Sequence, residues 1–316
     1  MAQPLEGRVA LVAGATRGAG RGIACALGEA GATVYCSGRS TKGKPATKGR
    51  RETIEETADM VTARGGNGIP VRCDHLNEAE VKKLVARIKR EQKGQLDILV
   101  NDIWGGDELT EWGKTFWTLS LDKGFAMLRQ AVHSHIITSR YAVPLLVARG
   151  RGLMVEITDG DFFGYRFNLF YDLVKMSVIR LAMAMAYELR KTDIAAVAVT
   201  PGYLRSEAML DRFGVTEKSW REAGKKTPDF LYSETPLFVG RAVAALAADP
   251  EVKKKSGQVF SSWDLGDEYG FTDADGSRPH WGRHVAEAYG TYKKFDETLY
   301  SYFRENPGAL VFPDWP

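Results

Sequence analysis

The most constraining feature of the sequence is a regular alternation of short apolar runs and longer amphipathic segments. The first run, RVALVA (8–13), leads into a glycine-rich turn, AGATRGAGRG (13–22), and then into a helical segment closed by Gly31. Further strands are predicted at TVYCS, 69–72, LDILVN, LMVEIT and IAAVAVT, and helices at 51–64, 77–92, 122–148 and 170–191. Continuous apolar strands are typical of a sheet buried on both faces. The alternation therefore predicts an α/β protein with a doubly wound parallel sheet.

Composition and charge argue against several other classes of protein. The 316 residues are 44% hydrophobic and 26% charged, and the net charge of +3 is too small to favour nucleic acid or an anionic membrane. No apolar run approaches the length of a membrane span, and the N-terminus lacks the basic start and cleavage site of a signal peptide. The scattered cysteines Cys25, Cys36 and Cys73 favour reduced thiols. We therefore expect a cytoplasmic protein without a metal site.

The glycine turn predicts a dinucleotide site. Gly14, Gly18 and Gly20 lie between the first strand and the first helix, where they allow a tight turn and a close approach to a pyrophosphate. A glycine pattern alone is weak, since many such patterns are only turns. Its position after the first strand of an alternating chain gives it weight.

The end of the second strand predicts which dinucleotide is bound. NAD sites place a carboxylate there for the ribose 2′-hydroxyl, whereas CSGRS has no acid before Arg39. Arg17 lies in the glycine turn, and two guanidinium groups suit a 2′-phosphate. The basic loop at 40–51 adds to that field. The prediction is NADP(H) in preference to NAD(H), and the alternative is two solvated surface arginines.

The order of motifs resembles the short-chain dehydrogenase/reductase family. The glycine turn is followed by Asn101, by Tyr171-x-x-x-Lys175 and by Pro201-Gly202, and the resemblance covers about residues 5–265. It implies a single-domain Rossmann fold of about seven strands, with helices on both faces, and NAD(P)-linked oxidoreduction of alcohols and carbonyls. It also implies a homodimer or homotetramer. Within the family, SGQVFSSWDLGDEYGFTDADG (256–276) and the long tail resemble one subgroup.

The resemblance also suggests how the chain is divided. Residues 1–268 would form the catalytic domain, with a substrate lid at about 203–235. Residues 269–316 would form a C-terminal extension that packs on the domain or on a partner subunit.

The tyrosine and lysine have a physical reason to be four residues apart. Such residues lie on one helix face, and a nearby ammonium stabilises a phenolate and lowers its pKa. Tyr171 can then exchange a proton with a carbonyl oxygen as hydride moves. In the family the lysine also binds the nicotinamide ribose. The alternative is a buried tyrosine beside a lysine that extends to solvent.

The resemblance assigns further residues to the dinucleotide. Asp74 matches the acid that meets the adenine, and Ser206 matches the hydroxyl that holds the carboxamide. The predicted cofactor-binding residues are Gly14, Thr16, Arg17, Gly18, Ala19, Gly20, Arg39, Asp74, Asn101, Lys175, Pro201, Gly202 and Ser206.

Four departures from the family pattern affect the site. The threonine that usually precedes Gly14 is Ala13, and Asn-Asn-Ala-Gly is replaced by Asn101-Asp-Ile-Trp-Gly105. The family asparagine of the fourth helix falls on Ala131 by an ungapped count. His133, Ser134 and His135 are candidate replacements, or else residues packed against a neighbour. His280 and His284 are interpreted as surface residues because no helix or acid partner is evident.

The remaining departure concerns the group that orients the substrate. Strand register places the family serine at Asp159, whereas counting back thirteen residues from Tyr171 gives Thr158. Thr158 offers a hydroxyl donor and is the favoured candidate. An ionised Asp159 cannot donate and would repel an oxyanion, but a protonated one could donate. Asp159 could also be a strand-end residue that binds backbone amides.

Aromatic residues near the predicted site indicate a bulky apolar or aromatic carbonyl substrate. They are Trp104, Trp112, Trp117, Phe162, Phe163, Tyr165 and Phe170, with Met209, Leu210, Phe213 and Trp220 in the lid. The alternative for each is a place in the core. The sequence thus predicts an NADPH-dependent carbonyl reductase or alcohol dehydrogenase. The other hypotheses are a catalytically weak NADP-binding regulatory protein and a non-redox use of the dinucleotide.

Overall fold

One parallel sheet of seven strands organises the fold. The computed structural model describes residues 3–162 and 164–290. Its strands are β1 (Val9–Ala13), β2 (Thr33–Gly38), β3 (Asn67–Arg72), β4 (Ile98–Asn101), β5 (Arg151–Ile157), β6 (Asp193–Thr200) and β7 (Val259–Ser261). Their order is β3-β2-β1-β4-β5-β6-β7, and every neighbouring pair is parallel. The predicted Rossmann-type fold is confirmed.

Helices connect the strands close to the predicted positions. The α-helices of the described residues are α1 (Gly18–Glu29), α2 (Ile54–Ala63), α3 (Glu78–Glu91), α4 (Leu121–Leu128), α5 (Ser134–Arg149), α6 (Leu169–Glu188), α7 (Glu207–Phe213), α8 (Pro236–Ala248), α9 (Ser262–Tyr269) and α10 (Trp281–Tyr289). The helix predicted at 122–148 is α4 and α5, joined by a π-helical turn at Arg129–His133. Helices α7 to α10 were not predicted from the sequence.

The strands are continuously apolar because both faces of the sheet are covered. All five residues of β1 are buried. Alternate side chains point to opposite faces, so Val9 and Leu11 join one core cluster while Ala10 and Val12 join the other. Burying one such aliphatic side chain stabilises the fold by about 1.5–3 kcal/mol.

The strand ends are aligned where the direction of strand addition reverses. Ala13 pairs with Ser37 of β2 and with Asn101 of β4, and Asn101 pairs with Glu156 of β5. In a doubly wound sheet, the crevice at the carboxyl ends beside this reversal is where ligands bind. The region between β1 and β4 is therefore where the site is expected.

Part of the predicted C-terminal extension packs on residues 203–235, the predicted lid. The Trp281 ring lies 5.5 Å from that of Tyr203, and the His284 imidazole stacks on Tyr232 at 3.7 Å. His284 also lies 2.8 Å from the Asp229 carboxylate. The interpretation of His284 as a surface residue without an acid partner is wrong, because α10 turns its ring into this contact.

Other predictions for the tail and the chain as a whole meet the limits of the described residues. Trp315, Pro307 and Pro313 lie outside them. In residues 3–162 and 164–290, no helix is long and apolar enough to cross a membrane. The same ranges contain no group of three or more metal-ligating side chains.

Candidate active site

The tyrosine and lysine of the site lie on the first turns of α6. Asn168 begins this helix by accepting hydrogen bonds from the backbone N–H groups of Phe170 and Tyr171, both at 3.1 Å. The cap sets the start of the helix, and Tyr171 and Lys175 follow one turn apart on the same face. The Lys175 ammonium lies 5.4 Å from the centroid of the Tyr171 ring. The predicted pair is thus brought together.

Asp159, and not Thr158, contacts the tyrosine. The Tyr171 hydroxyl donates to the Asp159 carboxylate at 2.5 Å. The Thr158 hydroxyl is buried and donates instead to the backbone carbonyl of Lys175 at 2.8 Å. Alternation along the chain after β5 explains this, since successive side chains point in opposite directions. The preference for Thr158 drawn from residue counting is not supported by this geometry.

Arg166 fixes the loop that carries Asp159. Its buried guanidinium donates to the backbone carbonyls of Asp159 at 2.6 Å and Phe162 at 3.1 Å, and it pairs with Asp172 at 3.1 Å. One side chain thereby satisfies several carbonyls of a tight loop. Sequence reasoning missed this residue, because nothing in its spacing indicates which loop it holds.

The acidity of Tyr171 differs from the expectation. Burial raises the pKa of the phenol well above its usual value, and the negative charge of Asp159 raises that pKa further. The predicted lowering of the pKa by Lys175 is wrong for this arrangement, because burial and the adjacent Asp159 carboxylate both raise it. The phenol is therefore held as a proton donor.

Lys175 is surrounded by an aromatic ring and by acids. Its ammonium lies 4.2 Å from the Trp104 ring centroid, a cation–π distance. Burial lowers the pKa of Lys175, and the charges of Asp159 and Asp102 oppose that lowering. Lys175 therefore loses its proton at a lower pH than a solvated ammonium does.

The glycine turn and the loop after β4 form one unit. The Asp102 N–H donates to the Ala13 carbonyl at 2.8 Å, and the Gly20 N–H donates to the Asp102 carboxyl. A Cβ at Gly14 would overlap the Asp102 carbonyl, and one at Gly20 would overlap the Gly14 carbonyl. Burial raises the pKa of Asp102 to about 7. Two of the sequence departures, Ala13 and Asp102, are thus in direct contact.

Asn101 faces the interior and not the glycine turn. Its amide donates to Ser139 at 3.0 Å and to Glu156 at 2.7 Å. Glu156 also contacts the imidazole of His135 at 2.6 Å, and the other ring nitrogen of His135 lies 3.1 Å from the Ile103 carbonyl. This buried network supports the loop after β4. Sequence reasoning did not identify Glu156, although an acid inside an apolar strand is a usable signal.

Among the candidates near Ala131, the network selects His135. Ala131 lies within the π-helical turn and is buried. His133 is exposed, and the Ser134 hydroxyl donates to the Gln130 carbonyl at 2.5 Å. His135 alone of the three reaches the loop that follows β4.

The two arginines predicted for the 2′-phosphate lie at the carboxyl ends of β1 and β2. Arg17 donates to the Thr47 hydroxyl at 2.8 Å, and its Nη1 is buried without a hydrogen-bond partner among the described residues. Burial lowers the pKa of Arg17, and the nearby Glu52 opposes this. Arg39 is exposed. Nη1 also lies 3.8 Å from the Glu52 carboxylate, an ion pair without a hydrogen bond. A buried guanidinium nitrogen that lacks a hydrogen bond fits a phosphate, and the exposed Arg39 guanidinium can add a second donor.

The segment after β6 closes over the glycine turn. The Gly202 N–H donates to the Glu234 carboxyl at 2.9 Å, and Ser206 begins α7 beside Gly18. The Gly18 N–H donates to Glu207 at 2.8 Å. Burial raises the pKa of Glu234 to about 8. Neither Glu207 nor Glu234 was singled out from the sequence, because each meets its partner only across the fold.

The remaining predicted cofactor residues flank this unit. The Thr16 carbonyl accepts from the Arg21 guanidinium at 3.1 Å, and Ala19 is buried in α1. Asp74 follows β3, and its carboxylate accepts from the Leu76 N–H at 3.0 Å. Pro201 follows the last residue of β6. Asp74 thus lies at the same edge of the sheet, two strands away from the glycine turn.

The predicted aromatic residues divide between the site and the core. The rings of Trp104 and Trp112 lie 5.5 and 5.1 Å from the Tyr171 ring. Phe170 is buried against α4, and Trp220 is buried in the lid. Of the other predicted members, Trp117 and Tyr165 are exposed, and Phe162 packs under Arg166. Met209, Leu210 and Phe213 pack against the buried cluster of Trp220, Ala223 and Phe230. Phe163 lies outside the described residues.

The fold and this site define the class of protein. The sequence matches the short chain dehydrogenase family over residues 8–214, and the chain belongs to that family. It is therefore an oxidoreductase of a family that binds a nicotinamide cofactor and acts on hydroxyl or carbonyl groups of small molecules.

Particular relatives refine this placement. Dehydrogenase/reductase SDR family member 1 of Mus musculus is 37% identical over 280 residues, which cover 87% of this chain and 86% of the relative. The Homo sapiens protein of the same name is 35% identical over 279 residues, with the same coverage. Residues 256–276 were the basis for predicting a subgroup, and these relatives identify it.

Solved structures share the fold. A variant of the actinorhodin polyketide ketoreductase with NADPH has a TM-score of 0.66 and 23% identity, and the match covers 83% of this chain and 97% of that one. A hydroxysteroid dehydrogenase from Escherichia coli also has a TM-score of 0.66 and 23% identity, and the match covers 82% of this chain and 97% of that one.

Proposed function

We propose that this protein is an NADPH-dependent reductase of bulky or aromatic carbonyl-type substrates, with Tyr171 as the proton donor. The observation that carries the proposal is the contact of Tyr171, Lys175 and Asp159 beside the glycine turn. A nicotinamide cofactor supplies hydride when it is bound. The raised pKa of Tyr171 keeps its proton available, which favours reduction at neutral pH over the reverse reaction.

Lys175 and Asp159 have separate roles in the proposal. Lys175 holds the ribose of the dinucleotide and contributes a positive charge. Asp159 takes the position of the family serine. It sets the direction of the Tyr171 hydroxyl by accepting its hydrogen bond at 2.5 Å.

The preference for NADPH rests on Arg17 and Arg39. The Nη1 of Arg17, which has an ion-pair partner in Glu52 at 3.8 Å but no hydrogen-bond partner among the described residues, and the exposed Arg39 guanidinium can both donate to a 2′-phosphate. Bulky substrates are favoured by Trp104 and Trp112, whose rings flank Tyr171. These rings supply apolar surface on the side of the tyrosine that faces the loop after β4.

The division of the chain and its assembly are also proposals. Residues 1–268 would be the catalytic domain, with its lid at about 203–235, and residues 269–316 an extension that braces the lid. Support comes from the contacts of Trp281 and His284 with Tyr203 and Tyr232. We expect a cytoplasmic homodimer or homotetramer, as is frequent in the family.

The test compares NADPH and NADH oxidation over a panel of aromatic and aliphatic ketones, aldehydes and quinones. We expect NADPH-selective turnover that Tyr171→Phe lowers by about 10²–10⁴-fold, while dinucleotide affinity stays unchanged. Tyr141→Phe is the matched control, because that hydroxyl meets Glu78 on the outer face of α5. Turnover that survives Tyr171→Phe would contradict the proposal.

One observation favours a second candidate, an NADP-binding regulatory protein with weak catalysis. The single hydroxyl proton of Tyr171 is already donated to Asp159. Tight NADPH binding with no turnover over the whole panel would support this alternative.

A further inference from the structure

The charge at the reacting end of the site is unusual for carbonyl chemistry. A developing oxyanion is stabilised by hydrogen-bond donors and positive charge. Here Asp159 contacts the catalytic hydroxyl, and the charges of Asp159 and Asp107 both act on Tyr171 and Lys175. The positive charge of Lys175 faces two carboxylates and offsets their negative charge only in part, and the charge of Arg166, which also acts on both groups, is paired with Asp172.

The Asp159 carboxylate offers a substrate a hydrogen-bond acceptor and no donor. Oδ2 accepts from Tyr171, and Oδ1 has no hydrogen bond within residues 3–162 and 164–290. In the same ranges the Asp159 carboxylate has no ion pair, because the Arg166 guanidinium donates to backbone carbonyls and to Asp172. A group that donates an N–H or carries positive charge would satisfy Oδ1.

The aromatic rings of the site favour the same kind of ligand. The Trp104 and Trp112 rings lie within 5.5 Å of the Tyr171 ring. Trp104 already contacts a cation, since the Lys175 ammonium lies 4.2 Å from its centroid. Tryptophan faces beside carboxylates are a frequent way of binding cationic nitrogen.

We propose that the reacting group of the substrate is a protonated C=N bond, an iminium, attached to an aromatic or bulky apolar body. The inference rests on the proposed nicotinamide-linked reduction beside Tyr171 and specifies its substrate class. Because a protonated C=N group needs no further proton, Tyr171 is a positioning residue for this substrate, whereas it is the proton donor for a C=O group. Asp159 pairs with the cationic nitrogen and favours the protonated form of the C=N group, which is the more electrophilic form. Trp104 and Trp112 face the positive charge.

The reaction balances without a further reactant. Hydride adds to the iminium carbon, the C=N π pair becomes the lone pair of the amine nitrogen, and the reduced nicotinamide is oxidised. No oxyanion forms, so the negative charge of Asp159 does not repel the product. During the step Tyr171 keeps its proton and continues to donate a hydrogen bond to Asp159, which orients the carboxylate toward the nitrogen.

The deciding experiment is a binding measurement on the full chain with NADP⁺. The probes are N-methyl-naphthylmethylamine, an ammonium at neutral pH, and its neutral isostere naphthylmethyl methyl ether, each titrated by calorimetry. We expect the amine to bind about 10–100-fold more tightly, as for one charge-assisted hydrogen bond. Equal or weaker binding of the amine, or no binding of it, would overturn the inference.

Variants assign the preference to Asp159. Asp159→Ser and Asp159→Asn should remove the preference for the amine, with folding verified by thermal unfolding. Asp107→Asn should reduce the preference for the amine by a smaller factor, since the Asp107 charge acts on Tyr171 and Lys175 without a hydrogen bond to either. Asp122→Asn, an exposed charge on the first turn of α4, is the matched control and should leave it unchanged. A preference that survives Asp159→Ser would also overturn the inference.

A turnover arm separates this inference from the proposed function. Protonated dihydroisoquinoline and tetralone are bicyclic substrates of similar size that differ in the C=N⁺ and C=O groups. We expect NADPH to reduce the iminium at least about tenfold faster in the wild type, and Asp159→Ser to reverse the order. Tetralone turnover that depends on Tyr171 and is indifferent to Asp159 would leave the proposed function standing and the iminium inference overturned.

Discussion

The two halves of the crevice recognise their ligands by different means. At the carboxyl ends of β1 and β2, glycine backbone, helix N-terminus and arginine side chains line the surface, and Gly14 and Gly20 are required by close approaches. At the ends of β4 and β5, the contacts are made by charged and aromatic side chains, among them Asp102, Trp104 and Asp159. The first half follows the family pattern, and the second departs from it.

This difference has a physical reason. A pyrophosphate is bound mainly by backbone N–H groups, so the sequence needs only glycines that allow the approach. In the proposed function the chemical step depends on the charge near the reacting atoms, so we expect one substitution there to reverse whether a cationic or a neutral substrate is preferred. The four predictions that follow test this contrast, from the largest expected effect to the smallest.

Two glycines of α1 should respond in different ways to the same added methyl group. A Cβ at Gly20 would overlap the Gly14 carbonyl and lie 2.8 Å from the Asp102 carboxylate, whereas one at Gly22 would overlap the Pro236 carbonyl of α8. We expect Gly20→Ala to weaken dinucleotide binding on the order of 100-fold, through the loss of charge-assisted hydrogen bonds of about 1.5–3 kcal/mol each. Gly22→Ala should mainly lower the free energy of unfolding, by about 1–3 kcal/mol. Equal effects on binding, measured by calorimetry, would contradict the contrast.

The arginine pair should set the choice between dinucleotides. Arg17→Ala and Arg39→Ala should each reduce the ratio of NADPH to NADH affinity by about 10–50-fold, since each removes a donor to the 2′-phosphate. Lys48→Ala, an exposed change in the same basic loop, is the control and should have a much smaller effect. A ratio unaffected by Arg17→Ala would indicate that the guanidinium serves only Thr47 and Glu52.

Glu234 should make stability depend on pH. Burial raises its pKa from the ordinary 4.5 to about 8, so the folded protein binds this proton more tightly than the unfolded chain does. The contribution of Glu234 to the free energy of unfolding is fully present below about pH 4.5 and is lost as the pH rises through about 8. The melting temperature should therefore fall between about pH 6 and about pH 9, and less so in Glu234→Gln. Parallel curves from calorimetric melting would show that Glu234 does not titrate in this range.

Thr235 should contribute a small, local stabilisation at the base of the lid. Its hydroxyl accepts from the Leu237 N–H at 3.2 Å and donates to Asp273 of the extension. Thr235→Ala should cost about 0.5–2 kcal/mol in urea unfolding, while Thr235→Ser keeps the cap and should cost less. A loss of the same size in both variants would assign the effect to packing of the methyl group.

The sequence predicted most of the scaffold for reasons that are local. Continuous apolar strands require a sheet covered on both faces, and the turn after β1 needs glycine in any fold of this kind. The helix carrying Tyr171 and Lys175 was predicted within a few residues, because a spacing of four fixes a shared face. Helix α10 was missed, since its stability comes from packing on the lid and not from its own pattern.

The choice between Thr158 and Asp159 shows where sequence reasoning ended. Residue counts to Tyr171 and strand register gave different answers, because one residue more or less in the loop reverses which side chain faces the crevice. The sequence by itself determined the fold, the glycine turn and the tyrosine–lysine pair, since these follow from periodicity and backbone geometry. Only the tertiary structure decided that Asp159 meets the Tyr171 hydroxyl and that Glu234 and His135 are buried supports. Those contacts join residues distant in the chain, and their energies depend on burial that no local pattern specifies.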